Sequence, residues 1–473
     1  MLRQELREKC RIFIENAIWL ERKRDMDRNR PAVHLTAPRN WINDPNGFIW
    51  FKGQYHLYYQ HFPYAPMWGR MHWGHATSKD LLHWEHHPIA LFPSKSYDRD
   101  GCFSGSAVQE EEGIAFYYTG VDYVQADPEN INRVLYDTYV ASQVRIQSTD
   151  GFFFDNFAGK EQVIAPLQKP EIGSRYHTRD PKVWRQGAYY DMILGSKVQE
   201  PGKVKTTPKV LIYRSMDGKA WRFLNEFSSY DTLGDMWECP DLYEVDGQWI
   251  LSMAPMHMSE EAHMHQHQAV SALVDYNAET GEIGWDGKQF VYLDYGMDYY
   301  APQTTLDHMG RRIQIGWLRM ERPLPGCTWV GVLTMPREVT VREGKLYTDV
   351  HPEIRALFHK PVAEQICNAG EPYCIRTQLK DGEEVHIGAY RLGLKEGHIW
   401  ADRSGLTEED KAQLFSQTPL LAREQVQLEI YVDHCVVEIY AEGGAAVLTH
   451  VVQPQALCGQ LRLPEGAQCF ALG

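Results

Sequence analysis

The chain has 473 residues, a length that favours at least two domains over a single hydrophobic core. Hydrophobic residues make up 43% and charged residues 23%, a balance that excludes a mainly disordered chain. The formal net charge is -15, so the sequence predicts no nucleic-acid partner. No apolar run reaches the length of about 20 residues that spans a bilayer, so it predicts no membrane partner either.

The first 30 residues favour a helix that docks on the body of the protein. Their apolar positions follow the three-and-four spacing of one helix face, at Leu2, Leu6, Cys10, Phe13, Ala17 and Leu20. The segment is rich in acids and has no uninterrupted apolar core, which argues against an export signal. Nine scattered cysteines without a CxxC pair favour reduced thiols, so we expect a cytoplasmic protein.

Residues 31–345 read as an all-β domain with an internal repeat. The repeated unit combines a serine, a turn aspartate and a closing aromatic, in SKDLLHW (78–84), STDGFFF (148–154), SMDGKAW (215–221) and, more loosely, DYNAETGEIGW (275–285). The copies follow one another at about the spacing of a four-stranded sheet with its loops. With a last β-rich unit through IQIGWLRM (313–320), the repeat predicts a five-bladed β-propeller.

The pattern of the sequence changes near Thr340, where the repeated β-rich units end. We expect residues 346–360 to form a linker with a short helix at PEIRALF (352–358), and residues 361–473 to form a β-sandwich. Within the second region, QVQLEIYVDHCVVEIYAEGG (425–444) alternates apolar and polar positions as half-buried antiparallel strands do. Whether this sandwich builds a homodimer is left open.

Three acidic residues stand next to prolines, in the motifs NDPNG (43–47), RDP (179–181) and ECP (238–240). Proline disfavours the helical region for the residue before it, so we expect Asp44 and Asp180 to be extended and fixed in direction. Asp44, Asp180 and Glu238 stand at similar distances before the closing aromatic of their repeats, which we call a common phase. Residues of common phase lie on the same strand of different blades, so the sequence predicts three carboxylates around one central funnel. Such a set has the chemistry of glycosidic bond cleavage, which needs one ionised and one protonated carboxyl group.

The sequence resembles glycoside hydrolase family 32, which contains invertases and fructanases, over nearly the whole chain after residue 34. The matching stretches are WINDPNG (41–47), YHLYYQ (55–60), MHWGHATSKDLLHW (71–84), FSGSA (103–107), RDPKVW (179–184), WECPD (237–241), YYAPQT (299–304), IGW (315–317) and LTMPRE (333–338). The resemblance implies a five-bladed propeller followed by a β-sandwich, and retaining hydrolysis of terminal β-fructofuranosides. It also implies that Asp44 is the nucleophile, Glu238 the acid/base and Asp180 a stabiliser that binds fructosyl hydroxyls.

The same resemblance implies a set of contacts with a small sugar substrate. They are Trp41, Asn43, Gln60, Trp68, Phe103, Ser104, Arg179 and Trp317. Tryptophan is common in the family at position 103, and phenylalanine there cannot donate the indole hydrogen bond. We interpret Cys239 as a packing residue. The chemistry needs no cofactor or metal, and the histidine run between His257 and His267 is interpreted as a polar loop or strand.

Three other functions stay open from the residues alone: an inverting arabinan or xylan hydrolase on the same propeller, a fructosyltransferase, and a non-catalytic sugar-binding module. The leaving group is also open among sucrose, sucrose 6-phosphate and short fructo-oligosaccharides. A phosphate would require a cation near the pocket rim. The candidates in the sequence are Arg39, Arg70, Lys203 and Lys205.

Overall fold

The computed structural model describes residues 30–229, 233–259, 267–296, 298–363, 370–404, 415–421 and 423–473. Strands dominate these residues, and the all-β prediction is confirmed. Apart from Arg30, the docking helix predicted over residues 1–30 lies outside the described residues. No helix in the described ranges has the length and apolar character needed to cross a membrane.

Five sheets follow one another up to Val350. The first contains β1 (Asn40–Phe51), β2 (Gln54–Phe62), β3 (His72–Ser78) and β4 (Glu85–Leu91). The second contains β5 (Gly101–Glu110), β6 (Gly113–Tyr123), β7 (Tyr139–Ser148) and β8 (Glu161–Ile164), with a 3-10 turn at Leu135–Asp137. The third contains β9 (Arg179–Gln186), β10 (Tyr189–Val198), β11 (Thr207–Ser215) and β12 (Trp221–Ser228).

The fourth sheet contains β13 (Met236–Val245), β14 (Gln248–Met256), β15 (Val270–Asn277), β16 (Glu282–Gly284) and β17 (Val291–Tyr292). The fifth contains β18 (Tyr299–Leu306), β19 (Arg312–Leu318), β21 (Val332–Leu333), β22 (Arg337–Arg342) and β23 (Lys345–Val350). The short strand β20 (Trp329–Val330) leaves this order and pairs in parallel with the beginning of β1. The chain after β19 therefore returns to the first sheet.

The first strands of the five sheets form a ring. Strand β1 contacts β5, β5 contacts β9, β9 contacts β13, β13 contacts β18, and β18 contacts β1. Together with the pairing of β20 on β1, these contacts arrange the sheets as the blades of a propeller around these five strands.

The sequence repeat has a physical basis in one turn. In the first three blades a serine hydroxyl donates to the turn aspartate, which accepts backbone N–H groups two and three residues further on. The pairs are Ser78–Asp80, Ser148–Asp150 and Ser215–Asp217. In the fourth blade Asn277 accepts the same two N–H groups. The repeat thus encodes the turn that leads into the outer strand of a blade.

The strands that follow form two further sheets. One has the order β24 (Phe358–Val362), β34 (Gln468–Leu472), β25 (Tyr373–Lys380), β30 (Gln425–Asp433), β31 (Val436–Ala441) and β32 (Ala446–Val451). The other has the order β29 (Phe415–Gln417), β28 (His398–Asp402), β27 (Tyr390–Lys395), β26 (Glu384–Ile387) and β33 (Leu461–Arg462). The two sheets share one hydrophobic core, as expected of a sandwich, with Leu428 from the first sheet and Leu392 from the second among its residues. Helix α1 (Pro352–Leu357) precedes this unit, where a short helix was predicted, and α2 (Pro454–Leu457) lies within it.

A buried network of charges joins the propeller to the sandwich. Arg337 on β22 donates from Nη2 to Glu438 Oε2 on β31 at 2.8 Å, and its Nη1 lies 2.9 Å from Asp294 Oδ2. His34 reaches the same carboxylate, with Nε2 2.9 Å from Glu438 Oε1, and its Nδ1 lies 2.9 Å from Asp433 Oδ2. Because removal of one partner would leave a buried charge unpaired, this network ties the two units together.

Candidate active site

The inner strands of the blades share an irregularity near one end of the ring. The pairing with the second strand shifts register in β1, β5, β13 and β18, between Ile42 and Pro45, Cys102 and Gly105, Glu238 and Asp241, and Tyr300 and Gln303. In the third blade the shift lies between Arg179 and Lys182 of β9, which are opposite Gly195 and Ile193 of β10. A bulge re-aims the side chains beside it, and bulges are common next to active sites.

The backbone before three of the prolines corrects one prediction. Asp180, Cys239 and Ala301 precede Pro181, Pro240 and Pro302, and their φ angles are +63°, +48° and +47°. The prediction that Asp180 is extended is therefore wrong. The following proline opposes the right-handed helical region, but the bulge places these residues in the left-handed region, which is costly for any residue other than glycine.

Asp44, Asp180 and Glu238 all lie on the first strands of their blades, as their common phase predicted, but Glu238 is offset by one residue from the other two. Asp44 and Asp180 stand directly before a proline, whereas Cys239 occupies that place in the fourth blade and Glu238 comes one residue earlier. Glu238 shares its phase with Asn43, Arg179 and Tyr300. The bulge brings side chains from both phases into one cluster, so the carboxylates still converge.

Asp44 is held by donors from its own strand and from the second and fourth blades. Ser104 Oγ donates to Oδ2 at 2.5 Å, Asn43 Nδ2 donates to Oδ1 at 3.1 Å, and the Cys239 thiol lies 3.5 Å from Oδ2. Burial raises the pKa of Asp44 from 3.8 to about 6, although the hydrogen bond from Ser104 opposes this effect. The carboxylate is therefore fixed in direction and ionised at neutral pH.

Asp180 lies on the other side of Cys239. The Cys239 backbone N–H donates to Asp180 Oδ2 at 3.0 Å, and the thiol lies 3.8 Å from the same oxygen. Burial raises the pKa of Asp180 to about 7, and it raises that of the Cys239 thiol well above its usual range. Cys239 is therefore a neutral bridge between two carboxylates rather than a packing residue alone.

Glu238 has two partners from the blades on either side. Arg179 Nη2 donates to Oε1 at 3.0 Å, and the Tyr300 hydroxyl donates to Oε2 at 2.8 Å. Arg179 Nε also lies 3.8 Å from Asp180 Oδ2. The guanidinium thus links Glu238 to Asp180, and Cys239 links Asp180 to Asp44.

Three of the predicted substrate contacts lie together beside Asp44. Trp41 Nε1 donates to Asn43 Oδ1 at 2.8 Å, which orients the amide that contacts Asp44. The rings of Trp41 and Trp317 meet edge to face at 5.8 Å. Trp317 is half-buried, and its Nε1 makes no hydrogen bond to another described residue.

The remaining predicted contacts are grouped around Ser104 on β5. The ring centroid of Phe103 lies 5.8 Å from that of Trp68 and 5.2 Å from that of Tyr139, edge to face in both cases. Phe103 therefore supplies aromatic surface but no indole N–H donor. Gln60 is buried, and its amide donates to the Cys102 carbonyl at 3.1 Å. Gln60 thus supports the strand that carries Ser104.

Below the acids, a buried ion pair joins three blades. Lys182 Nζ lies 2.8 Å from Asp241 Oδ2 and donates to the Thr304 carbonyl at 2.6 Å. The Thr304 N–H and hydroxyl both donate to the same Asp241 oxygen. A cavity of only about 10 Å³ lies between these residues and the cluster of acids, so the site has a closed floor.

Further charged and titratable side chains of the third and fourth blades lie in the region of Glu238. The carboxylate of Asp235 accepts from His257 Nδ1 at 2.9 Å, and the ring of His257 lies 5.2 Å from that of His267. Residues 260–266, which include His263 and His265, lie outside the described residues. Lys197 stands at the end of β10, two residues after Gly195, which is opposite Arg179.

Sequence reasoning gave no role to Tyr300, to Lys197 or to Cys239 as a bridge. The one signal for Tyr300 is the motif Tyr300-Ala301-Pro302, which repeats the proline spacing of the acidic motifs. No comparable signal exists for Lys197, because the carboxylates near it come from other blades.

Comparison with known proteins agrees with this geometry. The family model described as glycosyl hydrolases family 32 N-terminal domain matches residues 34–350, and the C-terminal model matches residues 382–469. A sucrose-6-phosphate hydrolase of Escherichia coli is 34% identical over 450 residues, which cover 90% of this chain and 89% of that protein. A raffinose invertase of Escherichia coli is 32% identical and covers 92% of this chain and 91% of its own length.

Solved structures show the same architecture. A family 32 β-fructofuranosidase of Bombyx mori superposes with a TM-score of 0.79 at 26% identity, over 98% of both chains. A variant of that protein in complex with sucrose gives the same TM-score over 97% of both chains. This chain belongs to glycosyl hydrolase family 32, as its motifs predicted.

Proposed function

We propose that this protein is a retaining β-fructofuranosidase that hydrolyses terminal β-D-fructofuranoside residues of sucrose, sucrose 6-phosphate or short fructo-oligosaccharides. The observation that carries this proposal is the cluster of Asp44, Asp180 and Glu238. Arg179 and Cys239 join these three acids into one network at one end of the propeller ring.

Asp44 is the nucleophile in this mechanism. Its carboxylate attacks the anomeric carbon of the fructosyl unit, and the bond from that carbon to the leaving oxygen breaks. The contacts from Ser104 and Asn43 fix the direction of the attacking group before substrate arrives. The product of this step is a fructosyl ester on Asp44.

Glu238 is the acid and then the base. It gives its proton to the leaving oxygen in the first step and takes a proton from water in the second, when water attacks the ester and releases fructose. The hydrogen bond from Tyr300 holds this carboxyl group in place. Glu238 and Asp44 come from different blades, so they reach the substrate from different sides.

Asp180 and Arg179 bind fructosyl hydroxyls. Their charge-assisted contacts position the ring, and Trp41, Trp68, Phe103 and Trp317 supply apolar surface for the faces of the sugar. Asn43, Gln60 and Ser104 complete the predicted set of substrate contacts. The names of relatives support the substrate class, since they are a sucrose-6-phosphate hydrolase and a raffinose invertase.

The free thiols support a location in a reducing compartment, and we propose the cytoplasm. Cys102, Cys239, Cys374, Cys435 and Cys458 form no disulfide. A homodimer stays a prediction, and light scattering behind a sizing column tests it.

The reaction is tested by incubation with sucrose in the presence of methanol. A retaining fructosidase transfers part of the fructose to methanol as methyl β-fructofuranoside, which does not interconvert with the α anomer and is identified by NMR. Equal amounts of glucose and total fructose products are expected, with most of the fructose free. Release of glucose with most fructose in longer oligosaccharides would indicate a fructosyltransferase.

Asp44→Asn is the inactive variant, and Asp286→Asn is its matched control. Asp286 is an exposed turn aspartate of the fourth blade, which accepts from the N–H groups of Lys288 and Gln289. Turnover lost in the first variant and kept in the second supports the proposal. The methyl α-fructofuranoside as product, or full activity of Asp44→Asn, would contradict it.

A further inference from the structure

Lys197 is a partly buried cation beside the proposed acid/base. It lies on β10, which extends past the beginning of β9, because Gly195 is opposite Arg179 in the strand pairing. Lys197 follows Gly195 by two residues. It is therefore closer to the end of the ring at which Arg179 contacts Glu238. Its side chain projects on the same side of the strand as that of position 195, which faces the fourth blade at Trp237.

Several charged side chains in this region have partners among the described residues, and Lys197 has none. Arg179 contacts Glu238 and Asp180, and Asp235 contacts His257. Lys197 makes no hydrogen bond or ion pair with any described residue. Burial lowers the pKa of Lys197, the charge of Arg179 adds to that effect, and the carboxylates of Asp235, Asp137 and Glu238 oppose it.

The cations considered from the sequence are less suitable for a ligand at the acid/base. Arg70 is paired with Asp100 at 2.9 Å, and Lys203 with Glu200 at 2.8 Å. Arg39 and Lys205 are exposed. The other lysine near the acids, Lys182, is used in the floor of the site by Asp241.

We propose that Lys197 binds an anionic group on the leaving sugar and thereby selects fructosides whose leaving group carries a phosphate monoester. This inference rests on the proposed function, which places the leaving oxygen at Glu238. The part of the substrate beyond that oxygen then lies among the side chains around Glu238, where Lys197 is a cation with no hydrogen bond or ion pair to any described residue. A lysine is suited to this task as a compact charge with three donors.

The test compares kcat/KM for sucrose 6-phosphate and for sucrose in the wild type, Lys197→Met and Lys197→Arg. The control is Lys203→Met, which removes a lysine from the loop that follows β10. We expect the wild type to favour the phosphorylated sugar and Lys197→Met to reduce this preference about tenfold or more. Lys197→Arg should keep most of it, and Lys203→Met should leave the ratio of the two kcat/KM values unchanged.

Inhibition by glucose 6-phosphate, compared with glucose, gives a second readout that does not depend on turnover. The advantage of the phosphorylated sugar should be lost in Lys197→Met. A preference that survives in a folded Lys197→Met, or equal loss on both substrates, would overturn the role of Lys197. A wild type that cleaves sucrose without any preference would overturn this inference alone, whereas a wild type that cleaves no fructoside would overturn the proposed function.

Discussion

Tyr300 donates a hydrogen bond from its hydroxyl to Glu238 Oε2 at 2.8 Å, across the boundary between the fourth and fifth blades. The same hydroxyl lies 3.0 Å from the Ala254 carbonyl, so it has a second, fixed partner within the propeller. A side chain that is anchored in this way holds the proposed acid/base in one orientation.

Removal of this hydroxyl should therefore slow the reaction more than it weakens binding. We expect Tyr300→Phe to lower kcat about 10- to 100-fold with a small change in KM, because a misplaced acid/base loses proton transfer. Steady-state kinetics on sucrose measures this. Tyr299→Phe is the control, since its hydroxyl donates to Gln314 instead, and it should keep kcat within about threefold. Equal kcat values for both variants would refute the role of Tyr300.

The pH profile should report the ionisation of Asp44. Burial raises the pKa of this group to about 6, and the nucleophile must be ionised, so kcat/KM should fall as pH drops below about 6. Ser104→Ala removes a donor that favours the carboxylate, and its acid limb should move to higher pH. Ser148→Ala, in a turn of the same blade, should leave the limb in place. A shift of the Ser104 variant toward lower pH would contradict this assignment.

The same burial predicts that the nucleophile costs stability. The folded pKa of Asp44 lies above its ordinary value of 3.8, so folding favours the protonated form. The penalty is complete above about pH 6 and absent below about pH 4. Asp44→Asn should therefore raise the free energy of unfolding at pH 7 by about 1 to 3 kcal/mol. Urea titrations at pH 7 and pH 4 measure it, and an equal difference at both values would show that the effect is not electrostatic.

The charges between propeller and sandwich should give stability a different dependence on pH. Burial alone would lower the pKa of His34, but its hydrogen bonds with Asp433 and Glu438 raise it from 6.5 to about 9. Because the folded value is above the unfolded one, the contribution is complete below pH 6.5 and is lost as pH rises through about 9. Thermal unfolding of wild type and His34→Gln between pH 6 and pH 9.5 tests this. The thermal stability of the variant should decline much less than that of the wild type as pH rises. A parallel decline in both proteins would exclude His34 as its source.

Truncation of the partner carboxylate tests the network itself. Glu438→Gln leaves Arg337 and His34 without their shared counter-charge, so we expect a loss of about 3 to 5 kcal/mol in the free energy of unfolding. Glu442→Gln is the control, because its carboxylate pairs with the exposed Arg423. Loss of similar size in the control would mean that burial of the charge is not the cause.

Much of the fold follows from local sequence signals. The Ser-Asp turn recurs because a serine and an aspartate two residues apart can close the same turn in each blade, as at Ser78 and Asp80. At the hairpin between β1 and β2, Lys52 and Gly53 both take positive φ angles, as the two central residues of a tight hairpin turn do. Such features involve neighbours in sequence.

The parts of the site that the sequence did not reveal depend on contacts between blades. Tyr300 and Glu238 are 62 residues apart, and Cys239 and Asp44 are 195 apart. The positive φ angle of Asp180 comes from a bulge, which one sequence does not reveal because the partner strand defines the register. The acids could be predicted from their residue types and motifs. Their partners could not, because those contacts form only when the blades come together in the ring.

The most direct test of the mechanism is to trap the fructosyl ester. Glu238→Ala, incubated with p-nitrophenyl β-fructofuranoside and quenched in acid, lacks the base that would release the ester, while the activated leaving group needs no acid. Peptide mass spectrometry should find one added hexosyl unit, about 162 Da, on the peptide that contains Asp44. The adduct on Asp180, or the absence of any adduct during a measured burst of p-nitrophenol, would contradict Asp44 as the nucleophile.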